Sequence, residues 1–231
     1  MTGAPAPLVV FDLDGTLVDS APDLVDALNV VLGRDGIPPT PLEKARKFVG
    51  RGGRVLIRLG LEEHGAQVSD ARLEELFAAY LAQYEAHISD ATLPFPGVLA
   101  ALDRVAAAGH RLAVCTNKYE KAAKMLLRDL GMTTRFAAIV GADTFPVAKP
   151  NGAVLRLTAE RAGCDPSRVV MVGDTATDVN TARDAGLPAI CVDFGYAPEP
   201  VIELGADRII SHFDELPDAV TALCARWSQA A

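Results

Sequence analysis

Short apolar runs alternate with amphipathic segments along this chain, and together they predict a sheet flanked by helices. The strand-length runs are Leu8–Phe11, Leu112–Cys115, Ala138–Val140, Val169–Val172 and Ala189–Val192, with a weaker one at Arg208–Ile210. Between the later runs, helical patterns over 100–108, 120–130, 154–162 and 177–185 each end just before a glycine, a frequent C-terminal helix signal. This alternation favours right-handed βαβ units, so we expect an α/β fold with a doubly wound, mostly parallel sheet.

One segment, residues 19–91, departs from the alternation because it contains no convincing strand. Its apolar residues recur at the three- and four-residue spacing of amphipathic helices. They are Leu24, Leu28, Val31 and Leu32 on a first helix, Val55, Leu56 and Leu59 on a second, and Leu73, Leu76, Phe77, Tyr80, Leu81 and Tyr84 on a third. We interpret the aromatic side chains as bundle core. The pattern predicts a small all-helical domain over 19–91, inserted into a core formed by 1–18 and 92–231.

Composition and charge limit the classes of protein and partner. The chain has 231 residues, of which half are hydrophobic and 23% charged, as in ordinary folded domains. A net charge of −8 without a cluster of Lys or Arg argues against a nucleic-acid partner. No apolar run approaches the roughly 20 residues of a membrane span, and no signal-peptide pattern is present. The four cysteines lack CxxC spacing. We therefore expect a cytoplasmic protein with buried thiols and no membrane partner.

Polar residues follow three of the predicted strands at their carboxyl ends. They are Asp12 and Asp14 after the first, Thr116 and Asn117 after the second, and Asp174 and Asp178 after the strand at 169–172. The strand ends of a parallel sheet share one edge, and ligands of open α/β sheets bind beyond that edge. We therefore expect these side chains to line one site. The loop after the strand at 138–140 brings Lys149 towards it.

The residue types in this group predict phosphoryl transfer assisted by a metal. Four neighbouring carboxylates repel one another, so the group requires a cation, and an all-oxygen donor set favours Mg²⁺. Lys149 adds a permanent positive charge. Thr116, Asn117 and the amides of the turn at 13–15 are suitable donors to phosphate oxygens. Such an arrangement around one acceptor point is typical of phosphoryl transfer.

The two aspartates after the first strand are assigned different roles. Asp12, at the strand end, is expected to attack phosphorus and form an aspartyl-phosphate. Asp14 is expected to protonate the leaving oxygen and then to deprotonate the attacking water. Asp143 lies near the same group, and its role is left open between a structural one and one in the site.

The motifs Asp12-Leu-Asp-Gly-Thr16, Thr116-Asn117, Lys149-Pro150 and Gly173-Asp174-Thr-Ala-Thr-Asp178 resemble the four motifs of the haloacid dehalogenase-like hydrolase superfamily. The resemblance covers nearly the whole chain, and the helical insert resembles the smaller cap type of that family. It implies that Asp12 is the nucleophile, that Asp14 is the general acid and base, and that Thr116 and Lys149 bind the phosphoryl group. It also implies that Asp12, the Asp14 carbonyl and Asp174 hold Mg²⁺, with Asp178 in or just behind the metal's shell.

Within that superfamily, the chain is similar to bacterial phosphoglycolate phosphatases in three stretches. They are the start at 9–24, the segment Val49-Gly-Arg-Gly-Gly-Arg-Val-Leu56, and the Lys149-Pro150 that follows Gly141-Ala-Asp143. This resemblance implies hydrolysis of 2-phosphoglycolate, a small phosphorylated metabolite, by a monomer or homodimer. In the insert, the amides of Gly52 and Gly53 are candidate ligands of a small carboxylate, with charge added by Arg51 or Arg54.

Four other functions share part of this pattern. A sugar phosphomutase of the β-phosphoglucomutase type shares the core and the cap, but its relatives place an arginine where this chain has Gly52. A phosphatase of another small metabolite would use the same catalytic groups. A dehalogenase is disfavoured because Asp14 supplies a proton-transfer group that such chemistry does not need. A binding module without catalysis is disfavoured by the complete set of motifs.

Overall fold

The structure is a computed structural model that describes residues 7–228, and these residues form an α/β fold. The strands are β1 (Leu8–Phe11), β2 (Val18–Asp19), β3 (Leu93–Pro94), β4 (Arg111–Cys115), β5 (Ala138–Val140), β6 (Val169–Gly173), β7 (Ala189–Val192) and β8 (Arg208–Ile210). The helices are α1 (Ala21–Gly33), α2 (Leu42–Ala45), α3 (Gly53–Glu63), α4 (Asp70–Ala86), α5 (Val98–Ala107), α6 (Glu120–Asp129), α7 (Ala153–Arg161), α8 (Ala176–Ala185) and α9 (Leu216–Ser228). Short 3₁₀ turns occur at Arg46–Phe48, Thr133–Arg135, Val201–Leu204 and Phe213–Glu215.

Six of these strands form one parallel sheet in the order β5-β4-β1-β6-β7-β8. The predicted doubly wound parallel sheet is therefore confirmed, and each of the six predicted strands is found with its ends within one residue of the expected position. From β1 the sheet grows first through β4 and β5, and then on the other side through β6, β7 and β8. The strand order thus reverses direction at β1, which is the topological switch point of the sheet.

Helices cover both faces of the sheet, which explains why the strands consist almost entirely of apolar residues. Val9 and Phe11 belong to one apolar cluster, which also contains residues of α5, α6 and α9. Leu8 and Val10 point to the opposite face, where residues of α7 and α8 complete a second cluster. The alternation along β1 therefore divides its side chains between two buried layers.

The helices α1 to α4 lie between β2 and β3 in the chain, and α1 and α3 both pack against α4. We call these four helices the inserted helices. Their apolar residues, among them Leu28, Ile57 and Tyr80, belong to the same cluster as Phe11 of the sheet. Apolar packing is thus continuous between the two regions. The division into domains at residues 19 and 91 stays a prediction.

The sequence patterns did not indicate β2 and β3, which lie where the chain leaves and re-enters the core. Val18 pairs with Pro94 and Asp19 with Leu93 in an antiparallel arrangement. Two-residue strands are too short to produce an alternating pattern, so periodicity cannot reveal them. In the described part of the chain, no helix combines the length and the apolar character required to cross a membrane.

Candidate active site

The site lies at the switch point of the sheet, where the strand order reverses beside β1. Phe11 at the end of β1 pairs with Val114 of β4 and Val172 of β6, so Asp12 is the first residue beyond the strand. The backbone N–H of Asp12 still donates to the Val172 carbonyl at 2.8 Å, which extends the ladder by one bond. Open α/β sheets bind their ligands at such a switch point. The sheet topology therefore places Asp12 where a ligand is expected.

A tight turn follows Asp12 and requires glycine at position 15. Gly15 has a φ of 84°, and its N–H donates to the Val18 carbonyl at 2.9 Å. A Cβ atom at Gly15 would lie 2.3 Å from Oδ2 of Asp174, which is far inside van der Waals contact. Thr16, next in the turn, donates its hydroxyl hydrogen to Oδ1 of Asp174 at 3.0 Å. The turn after β1 is thus attached to the loop after β6.

Three aspartates and one lysine form a buried charged cluster at this edge. Carboxylate oxygens of Asp12, Asp174 and Asp178 lie within 4.8 Å of one another. Nζ of Lys149 lies 2.9 Å from Oδ1 of Asp12 and donates to Oδ1 of Asp178 at 2.6 Å. The Lys149 and Asp178 side chains are each only 1% exposed. The structure therefore brings together four of the residues that the sequence assigned to one site.

Burial dominates the acid–base properties of this cluster. It raises the pKa of Asp12 to about 7, against an opposing effect of the Lys149 ammonium. Burial also raises the pKa of Asp174 well above its usual value, and the charges of Asp178 and Asp12 raise it further. Burial alone would lower the pKa of Lys149, but the carboxylates of Asp12 and Asp178 outweigh it and raise that pKa. One ammonium among three carboxylates leaves the cluster short of positive charge.

The donor set of the cluster fits a hard divalent cation. Asp12, Asp174 and Asp178 offer carboxylate oxygens only, which is the donor type that Mg²⁺ prefers. Both oxygens of Asp178 already have partners, because Oδ1 accepts from Lys149 and Oδ2 accepts from the N–H of Asp174 and of Thr175. Asp178 thereby also caps α8. Asp174 is likewise fully hydrogen-bonded, because its Oδ1 accepts from the Thr16 hydroxyl and its Oδ2 from the N–H of Tyr196. A cation at the cluster would be held by the carboxylates of Asp12, Asp174 and Asp178.

Asp14 is directed away from this cluster. Its Oδ1 accepts a hydrogen bond from the Ser20 hydroxyl at 2.5 Å, and its Oδ2 lies 3.0 Å from Nζ of Lys118. The Lys118 and Asp14 side chains are 7% and 9% exposed, so this ion pair is largely shielded from water. Each aspartate of the motif is therefore paired with its own lysine. A metal contact through the Asp14 carbonyl stays a prediction.

A cavity of about 80 Å³ separates the sheet edge from the inserted helices. On the sheet side it is lined by Asp12, Asp14, Thr116, Asn117 and Lys118. The remaining cluster residues, Lys149, Asp174 and Asp178, adjoin Asp12 but do not line the cavity. Because one water needs about 10–15 Å³ by this measure, the cavity is suited to a small molecule and not to a macromolecule.

The two neutral polar residues after β4 line this cavity as predicted for phosphate ligands. Thr116 is buried, and its hydroxyl oxygen accepts from the N–H of Lys118 at 3.1 Å, which leaves the hydroxyl hydrogen for a ligand. Nδ2 of Asn117 donates to the Lys149 carbonyl at 3.4 Å. Oδ1 of Asn117 is buried without a hydrogen-bond partner in the described residues. Their roles towards phosphate stay predictions.

On the helical side, the predicted residues are only partly brought to the cavity. Gly52 and Gly53 line it, but Arg51 is exposed and does not. Arg54 is held by Glu74 through two hydrogen bonds of 2.7 Å and lies 3.8 Å from the Phe77 ring centroid. Its guanidinium also donates to the Tyr119 hydroxyl at 3.2 Å, so its hydrogen bonds are made outside the cavity lining formed by Gly52 and Gly53.

Several residues that sequence reasoning did not assign to the site contact it. Lys118, Tyr80 and Tyr84 line the cavity, and Ser20 bonds to Asp14. Lys118 directly follows Thr116-Asn117, so its position just after the end of a strand already indicated that it would lie near the site. The tyrosines are buried, as residues of a bundle core are, so their sequence spacing gave no sign that they also line the cavity.

The structure resolves the open role of Asp143 in favour of a structural one. Its Oδ1 accepts a hydrogen bond of 2.7 Å from the backbone N–H of Glu120, the first residue of α6. A carboxylate at a helix N-terminus satisfies a free N–H and is favoured by the helix dipole. Asp143 is not among the residues of the charged cluster or the cavity lining.

Comparison with known proteins agrees with this arrangement. Residues 9–192 match the model of a family described as haloacid dehalogenase-like hydrolase. The chain is 43% identical to a phosphoglycolate phosphatase of Caulobacter vibrioides, over 93% of this chain and 91% of that protein. It is 44% identical to a phosphoglycolate phosphatase of Mesorhizobium japonicum, over 91% and 92% respectively. A crystal structure described as a predicted phosphoglycolate phosphatase from Haemophilus somnus 129pt superposes with a TM-score of 0.86 at 26% identity, covering 93% of this chain and 97% of that one.

Proposed function

We propose that this chain, which belongs to the haloacid dehalogenase-like hydrolase family, is a Mg²⁺-dependent phosphatase that hydrolyses 2-phosphoglycolate to glycolate and phosphate. The observation that carries the proposal is Asp12 at the switch point of the sheet, paired with buried Lys149 beside Asp174 and Asp178. The relatives that are 43% and 44% identical, named phosphoglycolate phosphatases, support the choice of substrate.

Asp12 is the nucleophile in this proposal. Its Oδ1 accepts a 2.7 Å hydrogen bond from the N–H of Leu13 and lies 2.9 Å from Nζ of Lys149, so the carboxylate is held in one orientation. The carboxylate attacks phosphorus, a bond forms between Asp12 and phosphorus, and the bond from phosphorus to the glycolate oxygen breaks. Mg²⁺, when bound, supplies charge neutralisation for the phosphoryl oxygens.

Asp14 moves the protons. It protonates the departing glycolate oxygen, which then leaves as an alcohol, and it later removes a proton from the water that attacks phosphorus. That second attack breaks the bond to Asp12 and releases inorganic phosphate. Ser20 and Lys118 hold the Asp14 carboxyl at the cavity wall, where it faces the substrate oxygen.

The inserted helices act as a cap in this proposal. They provide the apolar wall of the cavity, including Phe48, Leu56 and Phe77. A wall of this kind excludes bulk water from the reacting groups and strengthens the electrostatic interactions among them. The small volume also excludes large phosphate esters.

The experiment is a phosphate-release assay on 2-phosphoglycolate, hexose phosphates, nucleotides and p-nitrophenyl phosphate. We expect the highest kcat/KM for 2-phosphoglycolate, loss of turnover in excess chelator, and recovery with Mg²⁺. Asp12→Asn should lower kcat at least about 10³-fold, because the nucleophile is removed. Asp143→Asn is the matched control, since it alters an aspartate that caps α6 outside the site.

Three results would overturn the proposal. They are full turnover in excess chelator, undiminished hydrolysis by the Asp12→Asn variant, and conversion of a hexose 1-phosphate to the 6-phosphate at a higher rate than phosphate release. The last result would identify a sugar phosphomutase.

A further inference from the structure

Two buried tyrosine hydroxyls on the inserted helices lack a hydrogen-bond partner within residues 7–228. They belong to Tyr80 and Tyr84 of α4, which are each 2% exposed and whose rings stack with centroids 6.2 Å apart. An unsatisfied buried hydroxyl is destabilising, so folded proteins keep few of them. Both residues line the cavity beside Asp14. Their hydroxyl hydrogens therefore have no acceptor among the described residues.

Lys118 completes a polar group with these tyrosines. Its Nζ lies 4.5 Å from the centroid of the Tyr84 ring and 3.0 Å from Oδ2 of Asp14. Among the described residues that line the cavity, Lys118 is the only cationic one. An anionic group that enters the cavity beyond the phosphoryl end therefore has one positive charge to meet there. Neither Arg51 nor Arg54 provides a second, because neither lines the cavity.

The position of Asp14 locates this group relative to the substrate, and the inference therefore rests on the proposed function. Asp14 delivers its proton to the oxygen that bridges phosphorus and the organic part. In 2-phosphoglycolate, a single methylene separates that oxygen from the carboxylate carbon. A carboxylate this close to the bridging oxygen reaches the neighbour of Asp14, which is Lys118.

We propose that Lys118, Tyr80 and Tyr84 bind the carboxylate of the substrate and set the preference for small phosphorylated carboxylic acids. The Lys118 ammonium and the two tyrosine hydroxyls donate hydrogen bonds to the carboxylate oxygens. Hydrogen bonds to a charged group are stronger than those between neutral groups, so the unsatisfied hydroxyls gain strong partners when substrate binds. We name these three residues the carboxylate subsite.

The test compares 2-phosphoglycolate with ethyl phosphate, which has a methyl group in place of the carboxylate. The ratio of the two kcat/KM values reports on the carboxylate alone, because any effect of a variant on Asp14 applies to both substrates. We expect the ratio to fall by about tenfold or more in Lys118→Met and by roughly tenfold in the double variant Tyr80→Phe/Tyr84→Phe. The double variant should unfold at the same or a higher temperature, since it removes hydroxyls without partners.

Lys121→Met is the matched control. Lys121 of α6 contacts α4 through a 2.5 Å hydrogen bond to Glu85, but its side chain is 70% exposed and it does not line the cavity. This variant loses the same charge near the same helix, and the ratio should stay at the wild-type value.

The outcomes separate the subsite from the proposed function. If the wild-type chain prefers 2-phosphoglycolate and both Lys118→Met and Tyr80→Phe/Tyr84→Phe keep the wild-type ratio, the subsite is refuted while the proposed function stands. If the wild-type chain instead prefers 2-phospholactate over isopropyl phosphate, and Lys118→Met abolishes that preference, the subsite is supported and the substrate is corrected. If the wild-type chain prefers no phosphorylated acid over its neutral counterpart, the subsite is refuted.

Discussion

The two ends of the site are built differently, although each contains a lysine paired with an aspartate of the same motif. At the sheet edge, Lys149 is bound between Asp12 and Asp178, and the neighbouring carboxylates accept hydrogen bonds from backbone N–H groups. At the end next to the inserted helices, Lys118 of the sheet side contacts Asp14 and a tyrosine ring, and the nearby hydroxyls have no partner among the described residues. The first end is preorganised by the protein, whereas the second leaves donors for the ligand to satisfy.

This difference matches a division of labour between reaction and recognition. Preorganised charges accelerate a reaction because they need no rearrangement when charge develops in the transition state. Unsatisfied donors discriminate among ligands, because a ligand that lacks the matching acceptor leaves them buried and unpaired. We therefore expect substitutions in the charged cluster at the sheet edge to lower the rate with all substrates. Substitutions of Lys118, Tyr80 and Tyr84 should instead change the preference among substrates.

The largest expected effect separates the two lysines. Lys149→Met should lower kcat by about 10²–10³-fold with 2-phosphoglycolate and with ethyl phosphate alike, because a preorganised charge at the reacting group is lost. It should also destabilise the fold by about 3–5 kcal/mol, since Asp12 and Asp178 stay buried without their cation. Kinetics with both substrates and urea unfolding measure these changes. A changed substrate ratio with little change in rate would refute the division of labour.

The next effect concerns the packing around Asp174. A Cβ atom at Gly195 would lie 2.3 Å from Cβ of Asp174 and 2.6 Å from its Oδ2. Gly195→Ala should therefore displace this carboxylate, weaken Mg²⁺ binding about tenfold or more, and destabilise the fold by about 1–3 kcal/mol. Titration with Mg²⁺ and thermal unfolding measure both effects.

Gly33→Ala provides the control for that substitution. A Cβ atom there would meet nothing within 4 Å, and Gly33 ends α1 among the inserted helices. Alanine should be neutral or stabilise by up to about 1 kcal/mol. Equal Mg²⁺ affinities in the two alanine variants would contradict the close packing at the sheet edge.

A pH-dependent effect follows from the raised pKa of Asp12. The pKa rises from 3.8 to about 7 on burial, so between these values the folded metal-free protein binds more protons than the unfolded chain. Its stability should therefore decrease as the pH rises through this range. Mg²⁺ displaces the same proton, so its apparent affinity should weaken by up to about tenfold per pH unit below pH 7.

Thermal unfolding from pH 5 to pH 8, with chelator and with Mg²⁺, measures this linkage. The stabilisation by Mg²⁺ should grow with pH, and Asp12→Asn should remove the part of this growth that Asp12 contributes, while Asp174, whose pKa is also raised, contributes the rest. A stabilisation that is independent of pH would show that Asp12 is already ionised without metal.

The smallest expected effect tests the connection between the two regions. Arg46, beside the inserted helices, donates to both oxygens of Asp19 in β2 at 2.7 and 3.0 Å, and these side chains are 29% and 32% exposed. Arg46→Ala should destabilise by only about 0.5–1 kcal/mol, because partly exposed ion pairs contribute little. It should also raise KM more than it lowers kcat. Arg72→Ala, whose partner Asp35 lies within the helical region, should leave KM unchanged.

The sequence by itself determined the sheet and the residues that meet at its edge. Each strand is a short apolar run with helical periodicity on both sides, and these local patterns survive in the fold because both sheet faces are buried. Asp12, Thr116 and Asp174 directly follow strands, so parallel pairing alone predicts that they meet. Lys149 was recognisable from its motif, since it lies in a loop without periodicity.

Only the tertiary structure decided which residues face the reacting groups from the inserted helices. Tyr80 and Tyr84 have the helical spacing of core residues, and periodicity reports burial without distinguishing an apolar core from a cavity wall. Arg54 is close to Gly52 and Gly53 in sequence, yet its guanidinium binds Glu74 because side-chain direction depends on how α3 packs on α4. Which side chains from separate helices and strands contact one another depends on how these elements pack, and no local sequence pattern contains that information.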